Sequence, residues 1–365
     1  MGLQCGIIGI TNVGKTTIFN CMSSTKAQAS NFAFSASKSN ISMINVPDDR
    51  LYELEKFQVT ERIVHTTVEI VDIPGLARGS NKGEGVGNKF LADIRNCDAL
   101  IHVLRCFDDP NLPHVDGSVD PVRDIETVNF ELQVKDLESI DKKIQKLDKA
   151  AKTGDKEAKH GLEILNIYKK HIESFQNASS APVHEQDKKH IADLFLLSVK
   201  PIIYVCNVNE KSAINGNIYV EKVKEYLKNE NPEVLIIAGK VEAEISELEN
   251  PEDRMTFLKD VGLSEPGVNK LIRAAFHLLN LMAFFTVGPK EIRAWTIKRG
   301  MAAPQAAGVI HSDLERGFIR AEVMHYNDFI TLGSEHACKE KGKLLVEGKN
   351  YIVQDGDILH IRFNV

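Results

Sequence analysis

No apolar run in this chain approaches the ~18 residues that a membrane-crossing helix requires, and no leader-like segment precedes the first strand-like run. Those two absences point away from a membrane and toward a cytoplasmic protein. Cysteine is sparse: six in 365 residues, with no Cys-x-x-Cys pair. That scatter excludes a dense disulfide framework. Cys5, Cys97, Cys106 and Cys206 sit in apolar strand-like runs, which is the setting of buried thiols in a reducing compartment. Positive charge is not in excess, since the net charge is −6. That balance argues against a general nucleic-acid coat but leaves local basic patches open. The length suffices for two or three domains, each with its own core.

What the chain does have is Gly9-Ile10-Thr11-Asn12-Val13-Gly14-Lys15-Thr16, the Gly-x4-Gly-Lys-Thr spacing of a phosphate-binding loop. An apolar run, Cys5 to Ile10, precedes it, and Thr17, Ile18 and Phe19 open a helix after it. In such a strand–loop–helix unit, backbone N–H groups and the helix N-terminus wrap a phosphate. Asn12, Val13, Gly14, Lys15, Thr16 and Thr17 are therefore the candidate nucleotide-binding residues. Lys15 is expected along the β- and γ-phosphates, with the Thr16 hydroxyl on Mg²⁺. The expected ligand is a nucleoside triphosphate.

Further strand-like runs follow at Thr66–Ile73, Ala99–Cys106, Pro201–Asn207 and Val234–Ala238, separated by helical stretches. That alternation predicts an α/β fold with a mostly parallel sheet, whose site lies beyond the carboxyl ends of the strands. There stands Asp72-Ile73-Pro74-Gly75. Asp72 suits a water-mediated Mg²⁺ contact, and the Gly75 N–H suits a γ-phosphate. The glycine-rich run Gly79 to Gly87 has the composition of a switch loop, or of a plain surface turn.

After Gly75 comes Leu76, where many GTPases place a water-orienting Gln; an aliphatic side chain cannot hydrogen-bond water. Two substitutes are candidates. Asn12 offers an amide oxygen to a monovalent cation such as K⁺ beside the phosphates. His114, in the loop Asp108–Pro121, offers an imidazole to orient water or shuttle a proton. The plainer readings are loop geometry for Asn12 and an exposed loop histidine for His114.

Asn207-Val208-Asn209-Glu210 occupies the position where a guanine-specific protein shows Asn-Lys-x-Asp. Val208 removes the lysine stem, and Glu210 carries its carboxylate one methylene further out. The lost fork penalises guanine, whereas adenine lacks both groups that the fork would hold. Asn207 or a carbonyl near Val208 is the expected acceptor for adenine's amino group, with Ala238-Gly239-Lys240 backing the ring. ATP is expected over GTP.

Between the third and fourth of these strands, Leu132, Leu137, Ile140, Ile144 and Leu147 keep helical spacing, broken at Thr153-Gly154-Asp155 and resumed from Leu162 to Ile172. Two antiparallel helices are predicted, an insert at about 126–178. From about residue 281, strands at Phe284–Val287, Ala294–Ile297, Phe318–Val323 and Asp357–Phe363 and a helix from Pro304 predict a small α+β domain. Lys290, Arg293, Lys298, Arg299 and Arg316 give it a basic cluster suited to RNA or to solubility.

The runs Asn12–Lys15, Asp72–Gly75, Gly83–Asn88, Asn207–Glu210 and Tyr351–Asp357 together resemble the YchF or Obg-like ATPase family over nearly the whole chain. The resemblance implies a P-loop GTPase-type domain (1–280) carrying a coiled-coil insert, and a C-terminal TGS, ubiquitin-like domain (281–365). It further implies Mg²⁺-dependent ATP hydrolysis, potassium stimulation and slow turnover by a monomer that a partner activates. The implied partner is the ribosome, its large subunit, in translation or stress regulation. One departure stands out. The family's switch I threonine, a Mg²⁺ ligand, is Ala36 here, within Asn31-Phe32-Ala33-Phe34-Ser35-Ala36-Ser37. With Leu76, Ala36 raises a second expectation, a protein gated by ATP with negligible hydrolysis. A GTP-driven translation factor is disfavoured by Val208 and Glu210.

Overall fold

A computed structural model of the chain describes residues 3–23, 40–74 and 86–364. The elements run β1 (Gln4–Ile8), α1 (Lys15–Ser23), β2 (Asn40–Asn45), α2 (Arg50–Glu55), β3 (Ile63–Val64), β4 (Thr67–Asp72), α3 (Val86–Asn96) and β5 (Ala99–Arg105). Two long helices follow, α4 (Pro121–Lys152) and α5 (Lys156–Glu173), then β6 (Ile202–Asn207), α6 (Ile218–Leu227), β7 (Val234–Ile237) and α7 (Gly239–Glu247). The chain closes with α8 (Pro251–Val261), α9 (Gly267–Leu278), β8 (Leu281–Val287), β9 (Ile292–Lys298), α10 (Ala303–Ile310), α11 (Ser312–Arg316), β10 (Phe318–Met324), α12 (Tyr326–Leu332), α13 (Glu335–Glu340), β11 (Leu345–Glu347) and β12 (Ile358–Phe363). Among the described residues, no helix is long and apolar enough to cross a membrane.

Among the described residues, two six-stranded sheets are ordered β2-β4-β1-β5-β6-β7 and β11-β10-β12-β8-β9-β3. In the first, β1 lies between β4 and β5, and β1–β4, β1–β5, β5–β6 and β6–β7 all pair parallel. Every residue of β5 is buried, as a central parallel strand covered on both faces requires. Leu104, Tyr204, Val220, Val223 and Val241 form one core of this unit. The sequence missed β2, whose alternating exposed residues lack the apolar run of its neighbours.

The insert begins earlier than expected, at Pro121 rather than 126, so Pro121 belongs to a helix and not to the preceding loop. The Asp120 side chain accepts from the Arg123 N–H, and Pro121 opens the helix where its missing N–H costs nothing. Asp155 caps α5 through the N–H groups of Glu157 and Ala158, after a turn in which Gly154 takes φ +96°. Ile140, Ile164, Leu165, Tyr168 and Ile172 zip the two helices together. The buried Asp136 carboxylate accepts from the Leu197 N–H (2.7 Å), the Ser198 N–H (2.8 Å) and the Ser198 hydroxyl (2.7 Å), tying α4 to the chain that returns to β6.

The second compact unit does not start at 281. Of the described residues it takes 43–68 and 272–364, while 3–23, 40–42, 69–74 and 86–271 form the first. The cause is burial. Leu51 and Leu54 of α2 sit in one core with Ala283, Phe285 and Ile292. β3 pairs parallel with β9, and Arg50 donates to both Asp48 and Asp355. A segment more than 200 residues upstream in sequence, Leu51 and Leu54 against Ala283 and Phe285, is thus built into the C-terminal core. The helix read from Pro304 spans Ala303–Ile310, and α11, α12, α13 and β11 are short elements too brief to leave a periodic signal.

Candidate nucleotide site

The glycine loop connects β1 to α1 as its pattern requires. Gly9 takes φ +144° and Gly14 φ +97°, both outside the range that side chains adopt comfortably. A Cβ on Gly9 would come within 2.5 Å of the Val103 carbonyl oxygen. Asn12 also holds positive φ, +62°, a conformation that asparagine tolerates better than most residues. Lys15 is buried, its ammonium donating to the carbonyls of Gly9 (3.1 Å) and Ile10 (2.6 Å). Burial lowers its pKa to about 8, against the pull of the Asp72 carboxylate. Thr16 and Thr17 are exposed at the mouth of the helix.

At the end of β4, Asp72 accepts a hydrogen bond from the Thr16 hydroxyl at 3.1 Å. Burial raises the Asp72 pKa, opposed by that hydrogen bond and by Lys15. A hydroxyl and a carboxylate side by side, with a lysine behind, form an all-oxygen donor set of the kind Mg²⁺ takes alongside phosphate and water. The residues present fit that ion. Gly75, Leu76, Ala36 and residues 79–85 of the glycine-rich run lie outside the described residues, while its last two positions, Val86 and Gly87, open α3 rather than a loop.

His114 is not an exposed loop histidine: its side chain is 3% exposed. Its Nδ1 accepts from the Asp116 N–H at 3.1 Å, which leaves the proton on Nε2, 3.3 Å from Asp124 Oδ2. Burial pushes the Asp124 carboxyl pKa up, against the His114 hydrogen bond. The loop reaches the phosphate loop through its neighbour, since the Asn12 amide nitrogen donates to the Pro113 carbonyl at 3.4 Å.

Arg105, which the motif reading passed over, shapes this loop. Its buried guanidinium donates to the carbonyls of Phe107 (3.1 Å), Leu112 (2.8 Å) and Asp109 (3.3 Å) and lies over the Phe107 ring. Asn217 donates to the Cys106 carbonyl at 2.8 Å, and the Tyr219 hydroxyl to Asp108 at 2.7 Å. The available signal was an arginine ending a strand of otherwise buried residues. His102, in the same strand, is fully buried with both ring nitrogens unpartnered, and its pKa is lowered to about 3 by burial and by Lys15.

At the base end the Asn207 side chain is held by the fold. Its Nδ2 donates to the Val13 carbonyl (2.8 Å) and its Oδ1 accepts from the Gly239 N–H (3.0 Å). The residue is 5% exposed, so its amide is a clamp between the phosphate loop and the start of α7. A Cβ on Gly14 would lie 2.3 Å from that amide nitrogen, a further reason for glycine there. Val208 is buried in the β6 core, whereas Glu210 is exposed at the start of a short 3-10 helix. In the second unit, Arg293 lies 3.9 Å from the centre of the Trp295 ring and Arg316 pairs with Asp313. The basic cluster is therefore partly engaged within its own surface.

A parallel sheet with a glycine loop after β1 and a Thr–Asp pair at the carboxyl ends of its strands defines a P-loop nucleotide-binding protein of the GTPase type. The family model described as "50S ribosome-binding GTPase" matches residues 4–166. The YchF-GTPase C-terminal model, described as a protein of unknown function, matches residues 281–364. The chain is 47% identical to the "Ribosome-binding ATPase YchF" of Bacillus subtilis and 44% to that of Escherichia coli O157:H7, with full coverage of both chains in each case. It is also similar to a solved structure, the Schizosaccharomyces pombe YchF GTPase, at 32% identity, covering 99% of this chain and 98% of that one with a TM-score of 0.88. The chain belongs to the YchF family.

Proposed function

We propose that this protein is a ribosome-associated P-loop ATPase that works as a slow, partner-stimulated switch and prefers ATP to GTP. The relatives' names support the ribosome and the hydrolysis. Those names differ over the nucleotide, ATPase for the bacterial proteins and GTPase for the solved one, so the base preference rests on residues of this chain. The observation that carries it is the base end of the site. Val208 is core, Asn207 is a clamp, and Glu210 stands where the guanine-binding carboxylate would be one methylene shorter. A guanine left without its fork loses the strongest discrimination that such a site supplies.

Thr16 and Asp72 would hold Mg²⁺, which supplies charge neutralisation on the β- and γ-phosphates when bound. Lys15 supplies a second positive charge there. The amide oxygen of Asn12 remains as a K⁺ ligand atom, because its nitrogen is the atom turned to Pro113. His114 is the candidate for orienting water, but both of its nitrogens are engaged with Asp116 and Asp124. It must exchange one of these partners for water, so turnover requires the loop 107–120 to reorganise. That requirement suits an enzyme completed by a partner, the large ribosomal subunit in this reading.

The test is calorimetry with ATP and with GTP, then phosphate release with K⁺, with and without ribosomes. Tight ATP binding with ribosome-stimulated release, lost by about a hundredfold or more in His114→Ala, supports the switch. The second reading, an ATP-gated binding protein, is favoured by Ala36 and Leu76. It would show as tight ATP binding without release under any condition. Preference for GTP overturns the assignment at Val208 and Glu210.

A further inference from the structure

The helical arm carries a second cluster of ligand-type side chains, far in sequence from the phosphate loop. His160 lies on α5, and Asp187 and His190 lie on the 3-10 helix Glu185–His190. A spacing of three residues brings Asp187 and His190 to the same side of a 3-10 helix. His160 Nε2 is 2.8 Å from Asp187 Oδ1, and the two imidazole rings meet edge-on with centroids 5.3 Å apart. One ligand atom from each of the three residues lies within 4.8 Å of the other two.

A histidine–aspartate pair alone would explain His160 and Asp187. It leaves His190 outside the pair: this residue is 9% exposed, and its buried Nε2 makes no hydrogen bond. The ring fits against α5 because residue 161 is glycine; a Cβ there would come within 3.2 Å of His190 Nδ1. Glu163 Oε2 lies 3.7 Å from His160 Nδ1, the nitrogen turned away from Asp187, and Glu157 Oε1 lies 3.7 Å from His190 Nε2 itself, beyond hydrogen-bond distance. A carboxylate on the nitrogen away from the ion, as Glu163 is, orients a metal-bound histidine and raises its basicity. The neighbouring ammonium groups are occupied elsewhere, Lys189 on Glu157, Lys188 on Glu185, and Lys143 on the His190 carbonyl and Asp193.

We propose that His160, Asp187 and His190 form a binding site for a divalent transition-metal ion of the zinc class, which clips α5 to the segment returning toward β6. Two imidazoles and a carboxylate are the three-protein-ligand set that Zn²⁺ accepts with a fourth position open to water. Imidazole selects against Mg²⁺ and Ca²⁺, so the site is chemically separate from the Thr16–Asp72 pair. Partly exposed His160 and Asp187 leave an entry path, and buried His190 anchors the ion.

The experiment uses the full chain, nucleotide-free and stripped with a chelator. Zn²⁺ is titrated by calorimetry, and Co²⁺ by visible absorption as a reporter of coordination. One saturable equivalent is expected, with the intense visible bands of a four-coordinate Co²⁺ site and a Zn²⁺-dependent rise in Tm. His160→Gln and Asp187→Asn change partly exposed residues and should fold. Each should weaken Zn²⁺ binding by about tenfold or more and abolish the rise in Tm. His190→Gln should do the same; if it does not fold, the other two variants decide. Absence of saturable Zn²⁺ uptake overturns the proposal. So does uptake of unchanged affinity in His160→Gln and Asp187→Asn, which would trace the ion to the His114–Asp116–Asp124 group instead.

Discussion

The phosphate end and the base end of the nucleotide site are built on different principles. The phosphate end is made of backbone geometry and short side chains, at positions fixed by local chain conformation. Gly9 and Gly14 hold their positive φ, α1 begins at Lys15, and Thr16 meets Asp72. At the base end the polar residue of the motif serves the fold. Asn207 spends its amide holding Val13 and Gly239 together, and Val208 fills the core. A motif made of backbone can be read from spacing; a motif made of side chains depends on what else those side chains touch.

The largest test of that contrast is at Lys15. Lys15→Ala should cost about 3 kcal/mol or more of ATP and GTP affinity alike, roughly a hundredfold, because it removes a charged donor to phosphate. The wild-type lysine also makes binding pH-dependent. Its pKa of about 8 lies well below the usual lysine value, and phosphate favours the charged form. ATP binding should therefore be flat below that pH, weaken as pH rises through it, and take up a proton near it. Calorimetry in buffers of different ionisation enthalpy measures this uptake, and a flat profile to pH 9 would refute the assignment.

Asn207→Ala comes next. Loss of two buried hydrogen bonds should destabilise the first unit by about 2–4 kcal/mol and weaken both nucleotides together, leaving their ratio unchanged. A change in the ATP-to-GTP ratio would show that Asn207 reads the base. Thermal melts and paired titrations give both numbers.

Smaller still is His102→Leu. Both imidazole nitrogens are buried without partners, so an apolar side chain should stabilise the protein by about 1 kcal/mol at neutral pH. The sign with pH follows from a folded pKa of about 3 against an ordinary 6.5. The unfolded chain binds the proton first, so stability is full above pH 6.5 and is lost as pH falls toward 3. The leucine variant should lose less stability over that interval, measured by denaturant melts at each pH. The least effect is expected from Glu210→Asp, a few-fold gain in GTP affinity at most, since the buried Val208 still denies the ring its lysine stem. Full GTP specificity from that single change would break the reading of the base end.

The sequence carried the parallel sheet far. Apolar runs at β1, β4, β5, β6 and β7 stand out because central parallel strands are buried on both faces. It carried the arm's two helices through heptad-like spacing and the Thr153-Gly154-Asp155 break. It missed β2 and α2, whose short amphipathic patterns do not rise above their surroundings, and it offered no sign that residues 43–68 join the C-terminal core. For His114 it supplied the residue but not the state, since pairing with Asp124 depends on Arg105 and Asn217 folding the loop.

What the sequence determined by itself was local: a glycine loop whose φ angles only glycine and asparagine hold easily, capped helices, buried strands, and the absence of a guanine fork. What only the tertiary structure decided was how side chains distant in sequence share their hydrogen bonds. Asn207 became a clamp through Val13 and Gly239, His114 a buried partner of Asp124, and α2 part of a core more than 200 residues away. The physical reason is that backbone conformation follows from nearby residues, whereas burial and hydrogen-bond satisfaction are settled only when the whole chain closes around each polar atom.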